Sequence, residues 1–289
     1  MTLEEAISRY QRALKARGLS LESQKNYAGT IAWLHKQTGD VWPTYPTLVD
    51  WLSSMDVAKT TMHHRTANVK RFFAWCVDME YLEKDPAAKL IVPKRGKNNP
   101  ATLSPSQVEF LLNEWTPFYT KRDAFLADRD KALVRLFIMS GLRRAELSAL
   151  DVGDVNVEGR AIAVRSGKGD RDRAVMVPAN VQPVLRALTK GRKYDEPLFI
   201  GKNIRGTRKR LAPDAISYIF TRKVSPAMGR RVTPHMCRHS YATMLVNRGV
   251  PLNQIQQLMG HSSLATTQIY LHASGRELKD SVKVLDDVA

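Results

Sequence analysis

"KALVRLFIMSGLRRAEL" spans Lys131–Leu147. Its first ten residues are apolar on almost every side of a 3.6-residue helix, so this helix is expected to be buried. Gly141 follows, and the chain then brings Arg143 and Arg144 straight out of the core, with Glu146 three residues after the first. A rigid core helix that delivers an arginine pair fixes cationic donors where an ångström of misplacement would matter.

The pattern changes on both sides of this stretch. Downstream, "AIAVRS" (Ala161–Ser166), "GKGD" and "RAVMVP" (Arg173–Pro178) alternate around a Gly-rich turn, which predicts a β-hairpin with a short strand beside it near Val155. From Ala179 onward the reading is helical to the end. Upstream, Ser104 reads as an N-cap with Pro105 as first helical residue. The first ninety residues read as four helices. A capping box at Thr2 and Glu5 opens one, Ser20 a second, Thr47 or a neighbour a third, and the fourth runs from about Thr60 to Met79. Four of the five tryptophans lie in this part and read as core filling.

The fold class is therefore mainly α with a small antiparallel β-sheet. The expected domains are a helical unit over 1–91, a basic linker over 92–103 (within "VPKRGKNNPATLS", Val92–Ser104), and a second domain over 104–289.

With 45 Lys+Arg against 28 Asp+Glu, the formal charge is +17. Residues 1–95 hold 14 basic and 10 acidic residues, net +4; residues 96–289 hold 31 and 18, net +13. Such an excess points to nucleic acid or an anionic membrane surface. No apolar stretch approaches the ~20 residues of a membrane span, and the N-terminus shows no signal peptide, so a cytoplasmic protein is expected. Two cysteines, Cys76 and Cys237, make no disulfide framework and fit a reducing compartment.

Three further segments carry candidate chemistry. "GKG" places Lys168 at the hairpin tip, where a solvated lysine is the bland alternative. "TPHMCRHSYAT" has Thr233 as N-cap and Pro234 as first residue of a helix. His235 then sits in its first turn and Arg238 on the same face, beside a helix end that favours anions. The rival reading is metal, because His235 and His239 are i,i+4 with Cys237 between. No Glu follows His235 as in a zincin helix, however, and Cys237 faces elsewhere. "LMGHSSLATTQIYLH" ends a helix at Gly260, puts His261 in the turn and Tyr270 on the next helix. Neither a P-loop, a carboxylate pair nor a Gly-x-Ser-x-Gly accompanies these groups.

In this order, "SGLRRAEL", "GKGDRDRAVMVP", "HMCRH" and "LMGHSSLATTQIY" resemble the tyrosine recombinase (phage integrase) family over essentially the whole chain. The resemblance implies a helical core-DNA-binding (SAM-like) domain followed by an α+β catalytic domain, in a Xer-like two-domain arrangement. It implies catalytic roles for Arg143, Lys168, His235, Arg238 and His261, and a nucleophilic role for Tyr270. Glu146 and His239 are implied as supporting residues. No metal or other cofactor is implied. Ser140, Cys237, Met259 and Arg144 depart from residues frequent in the family, without removing a catalytic group.

DNA contacts are expected from Lys70, Arg71, Lys94, Arg95, Lys97, Arg144, Arg171, Arg173, Arg205, Arg208, Lys209 and Arg210. The helices beginning near Ser20 and Thr60 are candidates for a groove, where Lys70 and Arg71 would meet bases or only phosphate, and Arg144 reads as a backbone contact or an exposed charge. The implied partners are double-stranded DNA with a pseudo-palindromic core site and further copies of this chain. The amphipathic end "GRELKDSVKVLDDVA" would join the copies into a tetramer, and a partner recombinase or directionality factor would be an addition. The implied place is the cytoplasm, at the nucleoid. Two alternatives stay open: a DNA-binding architectural relative that has lost catalysis, and a type IB topoisomerase-like relaxing activity.

Overall fold

The computed structural model describes residues 1–19, 21–94, 101–120, 123–165, 172–201, 209–260 and 267, with only the backbone of residue 22. Lys168, His261 and Tyr270 lie outside these residues, as do Arg95, Lys97, Arg171, Arg205, Arg208 and the C-terminal amphipathic stretch.

Two units divide the chain, Met1–Asn98 and Asn99–Ala289. The first is built from α1 (Leu3–Ala16), α2 (Leu21–Thr38), α3 (Tyr45–Ser53) and α4 (Lys59–Asp78). The expected capping box opens α1: the Thr2 hydroxyl accepts from the Glu5 amide, and Glu5 accepts from the Thr2 amide at 3.1 Å. The third helix starts earlier than expected, because Thr44 rather than Thr47 supplies the cap and Pro46 sits in the first turn. Tyr10, Phe72, Phe73 and Trp75 fill the centre, with Tyr10 edge-on to Phe72 at 5.2 Å. Trp51 and Trp75 are buried, whereas Trp33 and Trp42 are only partly so. Buried Asn68 ties α4 to α2 by donating to the Thr30 hydroxyl at 3.0 Å.

In the second unit, Ser104 and Gln107 form a capping box on α5 (Pro105–Glu109), which runs into a π-helical turn at Phe110–Glu114. Leu103, at the end of the stretch read as linker, is buried, and its amide donates to Ser240 Oγ at 2.8 Å. The helix of the opening quotation is α6 (Phe125–Ser140), with Leu133, Val134, Leu136, Phe137 and Ile138 fully buried. Each such side chain contributes about 1.5–3 kcal/mol on burial, which makes α6 the rigid centre of this unit. Phe137 meets Phe220 edge-on at 5.5 Å. Gly141 closes α6 in the left-handed conformation, φ 63°, and α7 (Arg144–Ala149) follows.

The sheet is antiparallel, with order β1 (Val155–Asn156), β2 (Ala161–Val164), β3 (Arg173–Met176). Ile162 pairs with Val175 in register, and both point into the core. The remaining helices are α8 (Gln182–Thr189), α9 (Pro213–Ile219), α10 (Ser225–Ala227), α11 (Pro234–Asn247) and α12 (Leu252–Met259).

The expectation of continuous helix after Ala179 fails between α8 and α9. There the backbone pairs with a distant segment: Val152 N donates to Glu196 O at 2.9 Å, Gly153 N to Tyr194 O at 2.9 Å and Leu198 N to Leu150 O at 2.8 Å. Gly191, at φ 68°, and Pro197 break helical continuity on either side of this crossing. Among the described residues no helix is long and apolar enough to cross a membrane.

Candidate active site

Glu146, in the first turn of α7, reaches back to Arg143 at the helix start. Arg143 donates its amide to Glu146 Oε2 at 2.7 Å, its Nη1 to Glu146 Oε1 at 2.7 Å and its Nη2 to the carbonyl of Gly260 at 2.7 Å. Arg238, on α11, is 2 % exposed. Its Nη1 donates to the carbonyl of Gly141 at 2.5 Å and its Nη2 to that of Met259 at 2.6 Å. The two guanidinium groups therefore hold adjacent carbonyls, those of residues 259 and 260. Residues 95 positions apart in sequence, Arg143 and Arg238, are brought to one spot by the junction where α12 ends.

Local sequence explains why each element stops there. Gly260 has φ 62° and closes α12 as Gly141 closes α6, and both positions favour glycine. Thr233 accepts from the Met236 amide at 3.2 Å and so fixes the start of α11. This places His235 in the first turn, exposed, with its ring 4.3 Å from that of His239. Partial desolvation by the surrounding protein, then the charges of Arg238 and Arg143, hold the His235 imidazole below its ordinary pKa. A neutral imidazole at pH 7 is a proton acceptor. Cys237 is fully buried, and burial pushes its thiol up to about 12, so it supplies no thiolate. Among the described residues no group of three or more His, Cys, Asp or Glu is placed to hold a metal ion.

Glu146 is mostly buried. Burial opposes its ionisation, but hydrogen bonds from Arg173 and the Arg143 amide outweigh this and bring its pKa down to about 2. A carboxylate depressed on folding stabilises the fold above its unfolded pKa, near 4.3, and loses that contribution as pH falls toward 2. The difference is worth on the order of 3 kcal/mol. Urea unfolding of Glu146→Gln against the parent, from pH 6 to pH 2.5, is expected to show the largest gap above pH 5 and a closing gap below pH 4.5. Parallel curves would remove Glu146 as the cause.

Several cations expected on DNA are committed within the protein. Arg173 donates both terminal nitrogens to Glu146, each at 2.9 Å, and its side chain is only 12 % exposed. Lys70 donates to the carbonyls of Ala87, Ala88 and Leu90, at 2.6–3.1 Å, closing the end of the first unit. Arg210 covers the carbonyls of Ser148, Ala149 and Leu150 at the C-terminal end of α7 and pairs with Asp151. Arg144 bonds the Ser217 hydroxyl at 2.5 Å and so links α7 to α9. These four are structural clamps, because orphan carbonyls and carboxylates inside the protein compete for the same donors. Arg71 remains exposed, its guanidinium resting 4.6 Å from the Tyr27 ring centroid, and Lys94 and Lys209 are exposed.

Comparison with known proteins identifies the family. The family model described as "Phage integrase family" matches residues 102–277. The tyrosine recombinase XerC of Mycobacterium sp. (strain KMS) is 34 % identical over 281 residues, covering 91 % of this chain and 92 % of its own. The tyrosine recombinase XerA of Thermococcus onnurineus (strain NA1) is 37 % identical over 195 residues, covering 68 % and 66 %. In fold, the chain is similar to a lambda integrase dimer bound to a COC' core site, at TM-score 0.75 and 17 % identity over 96 % of this chain and 79 % of the other. With the family model covering more than half of its length and a one-third-identical recombinase matching nearly all of it, the chain belongs to the phage integrase family, the tyrosine-type site-specific DNA recombinases.

Proposed function

We propose that the chain breaks and rejoins DNA at a specific site by transesterification through Tyr270. The observation that carries the reading is the pair of guanidinium groups, Arg143 and Arg238, held on the adjacent carbonyls of Gly260 and Met259. That arrangement gathers two guanidinium charges at one spot to attract a phosphodiester, whose charge grows as a pentavalent transition state forms. The Tyr270 phenolic oxygen attacks phosphorus and His235 receives its proton. The 5′-oxygen leaves, protonated by Lys168, and the products are a 3′-phosphotyrosine ester and a free 5′-hydroxyl. His261 adds a donor to the phosphate. Bond energy is kept in the ester, so a 5′-hydroxyl from another strand reverses the step without ATP or metal, by way of a Holliday junction.

In this reading residues 1–91 grip the DNA core site, 92–103 cross between the domains, and 104–289 carry the chemistry. Arg71, Lys94 and Lys209 are the backbone contacts that geometry leaves available among the described residues. Arg95, Lys97, Arg171, Arg205 and Arg208 stay with them as proposals from charge alone. The C-terminal amphipathic stretch joins copies into a tetramer on two pseudo-palindromic sites.

The test uses a duplex recovered by the protein from a random pool, nicked so that cleavage traps the ester. The expected result is an SDS-stable protein–DNA adduct in EDTA. A requirement for added divalent metal, or no adduct on any recovered duplex, would end the proposal.

A further inference from the structure

Glu146 carries two guanidinium groups rather than one. Arg143 reaches it from the start of α7, and Arg173 reaches it from the start of β3, the strand that follows Lys168 in sequence. Arg173 also lies against the turn at the end of α12. A Cβ built on Gly260 would fall 2.7–2.9 Å from Cζ, Nε and Nη1 of Arg173. One side chain thus touches both the carboxylate that grips Arg143 and the residue whose carbonyl Arg143 also grips.

Arg173 supports the fold through its two bonds to Glu146, but it does so at a cost. Its Nε is buried with no hydrogen-bond partner among the described residues, an arrangement that costs free energy. Charge gives Arg173 a further role. Arg143 and Glu146, 2.7 Å apart, sum to zero. An anion approaching that pair would meet a guanidinium already offset by its own carboxylate. With Arg173, whose Nη2 lies 2.9 Å from Glu146 Oε2, the three formal charges sum to +1 (two cations less one anion).

We infer that Arg173 is a positioning residue that neutralises Glu146, so that the carboxylate orients Arg143 without cancelling its charge toward the scissile phosphate. The inference rests on the reading of Arg143 as a phosphate clamp. In a partly buried site the effect is large, because little solvent screens the carboxylate. Arg173 itself does not touch the DNA.

The test measures single-turnover adduct formation at saturating suicide duplex, with duplex affinity and urea unfolding alongside. Arg173→Met is expected to slow cleavage by about 10²-fold while affinity changes by less than about threefold. Arg173→Lys, which keeps the charge but loses the fork, is expected to stay within about tenfold of the parent. The deciding variant is Arg173→Met with Glu146→Gln. Removing the now-unbalanced carboxylate is expected to return about tenfold of the lost rate, although it deletes a further hydrogen-bonded group. A double variant no faster than Arg173→Met would overturn the inference, as would an Arg173→Lys protein that folds and cleaves as slowly as Arg173→Met. Should the parent protein form no adduct, the recombinase reading falls instead, so the two failures are separable.

Discussion

Tyr270→Phe is expected to abolish the covalent protein–DNA adduct while leaving duplex binding within about twofold of the parent. The phenylalanine ring keeps the size and apolar surface of tyrosine but lacks the oxygen that would form the ester. The remaining cationic cage still attracts DNA, since affinity comes mainly from phosphates and displaced counterions. Among the described residues, two candidate substitutes near the arginines are unsuited: Cys237 is fully buried with its thiol pushed up to about 12, and Tyr241 is 7 % exposed with its phenol raised by burial. The expected loss is at least about 10⁴-fold, the scale on which nucleophile deletions act in enzymes that work by covalent catalysis. Gel analysis in SDS, after incubation with the nicked duplex in EDTA, decides it. An adduct formed at parental rate would mean that another side chain is the nucleophile, and peptide mapping of that adduct would name it.

The second large effect is expected from Gly141→Ala. At φ 63° an L-residue pays about 1–2 kcal/mol in backbone strain. The new methyl would also enter the space of the Tyr241 ring, 2.9 Å from Cε1 and nearer still to Cδ1, with Met259 Sδ at 3.0 Å. Met259 can bend away, whereas the ring of Tyr241 is packed among Ala242, Val246 and Ile255. Overpacking of this kind adds about 1–3 kcal/mol, for a total of about 2–5 kcal/mol in urea unfolding. Function should fall as well, because the Gly141 carbonyl holds Arg238 Nη1. Gly29 is the control. It is exposed in the middle of α2 with open space where its Cβ would be, so Gly29→Ala should gain up to about 1 kcal/mol from helix propensity alone. Equal effects at the two glycines would contradict this account of Gly141.

Much of the fold could be read from local signals. Thr2 with Glu5, Ser104 with Pro105 and Gln107, Thr233 with Pro234, and the helix-ending Gly141 and Gly260 each act within one turn of chain, so spacing alone reveals them. The β2–β3 hairpin was legible for the same reason, its alternation being a property of adjacent residues. The segment between α8 and α9 was not, because its hydrogen bonds go to Leu150, Val152 and Gly153, some forty residues earlier, and pairing at that distance leaves no periodic trace.

The same division runs through the site. Arg143, His235 and Arg238 stand out by residue type and company. Their actual grips do not, since the acceptors at Gly141, Met259 and Gly260 are main-chain carbonyls, which every sequence supplies. Charge counting placed Lys70, Arg144, Arg173 and Arg210 on DNA, yet a cation's sequence shows its sign and not its destination. Three of the four found carbonyl or carboxylate oxygens within the protein, and Arg144 found a hydroxyl. A sequence signal for Arg173 does exist in retrospect. A lone acid, Glu146, set between two candidate catalytic cations invites a second counterion, and Arg173 is the arginine at the root of the neighbouring strand.

Two successive carbonyls, those of Met259 and Gly260, anchor the two guanidinium groups, and ten residues separate Gly260 from Tyr270 in sequence. In the proposed mechanism, grip and attack are thus tied to one stretch of chain. An insertion at this joint is therefore expected to detune phosphate capture and nucleophile delivery together. Variation in recombination behaviour among relatives should therefore accumulate beyond this joint and seldom within it.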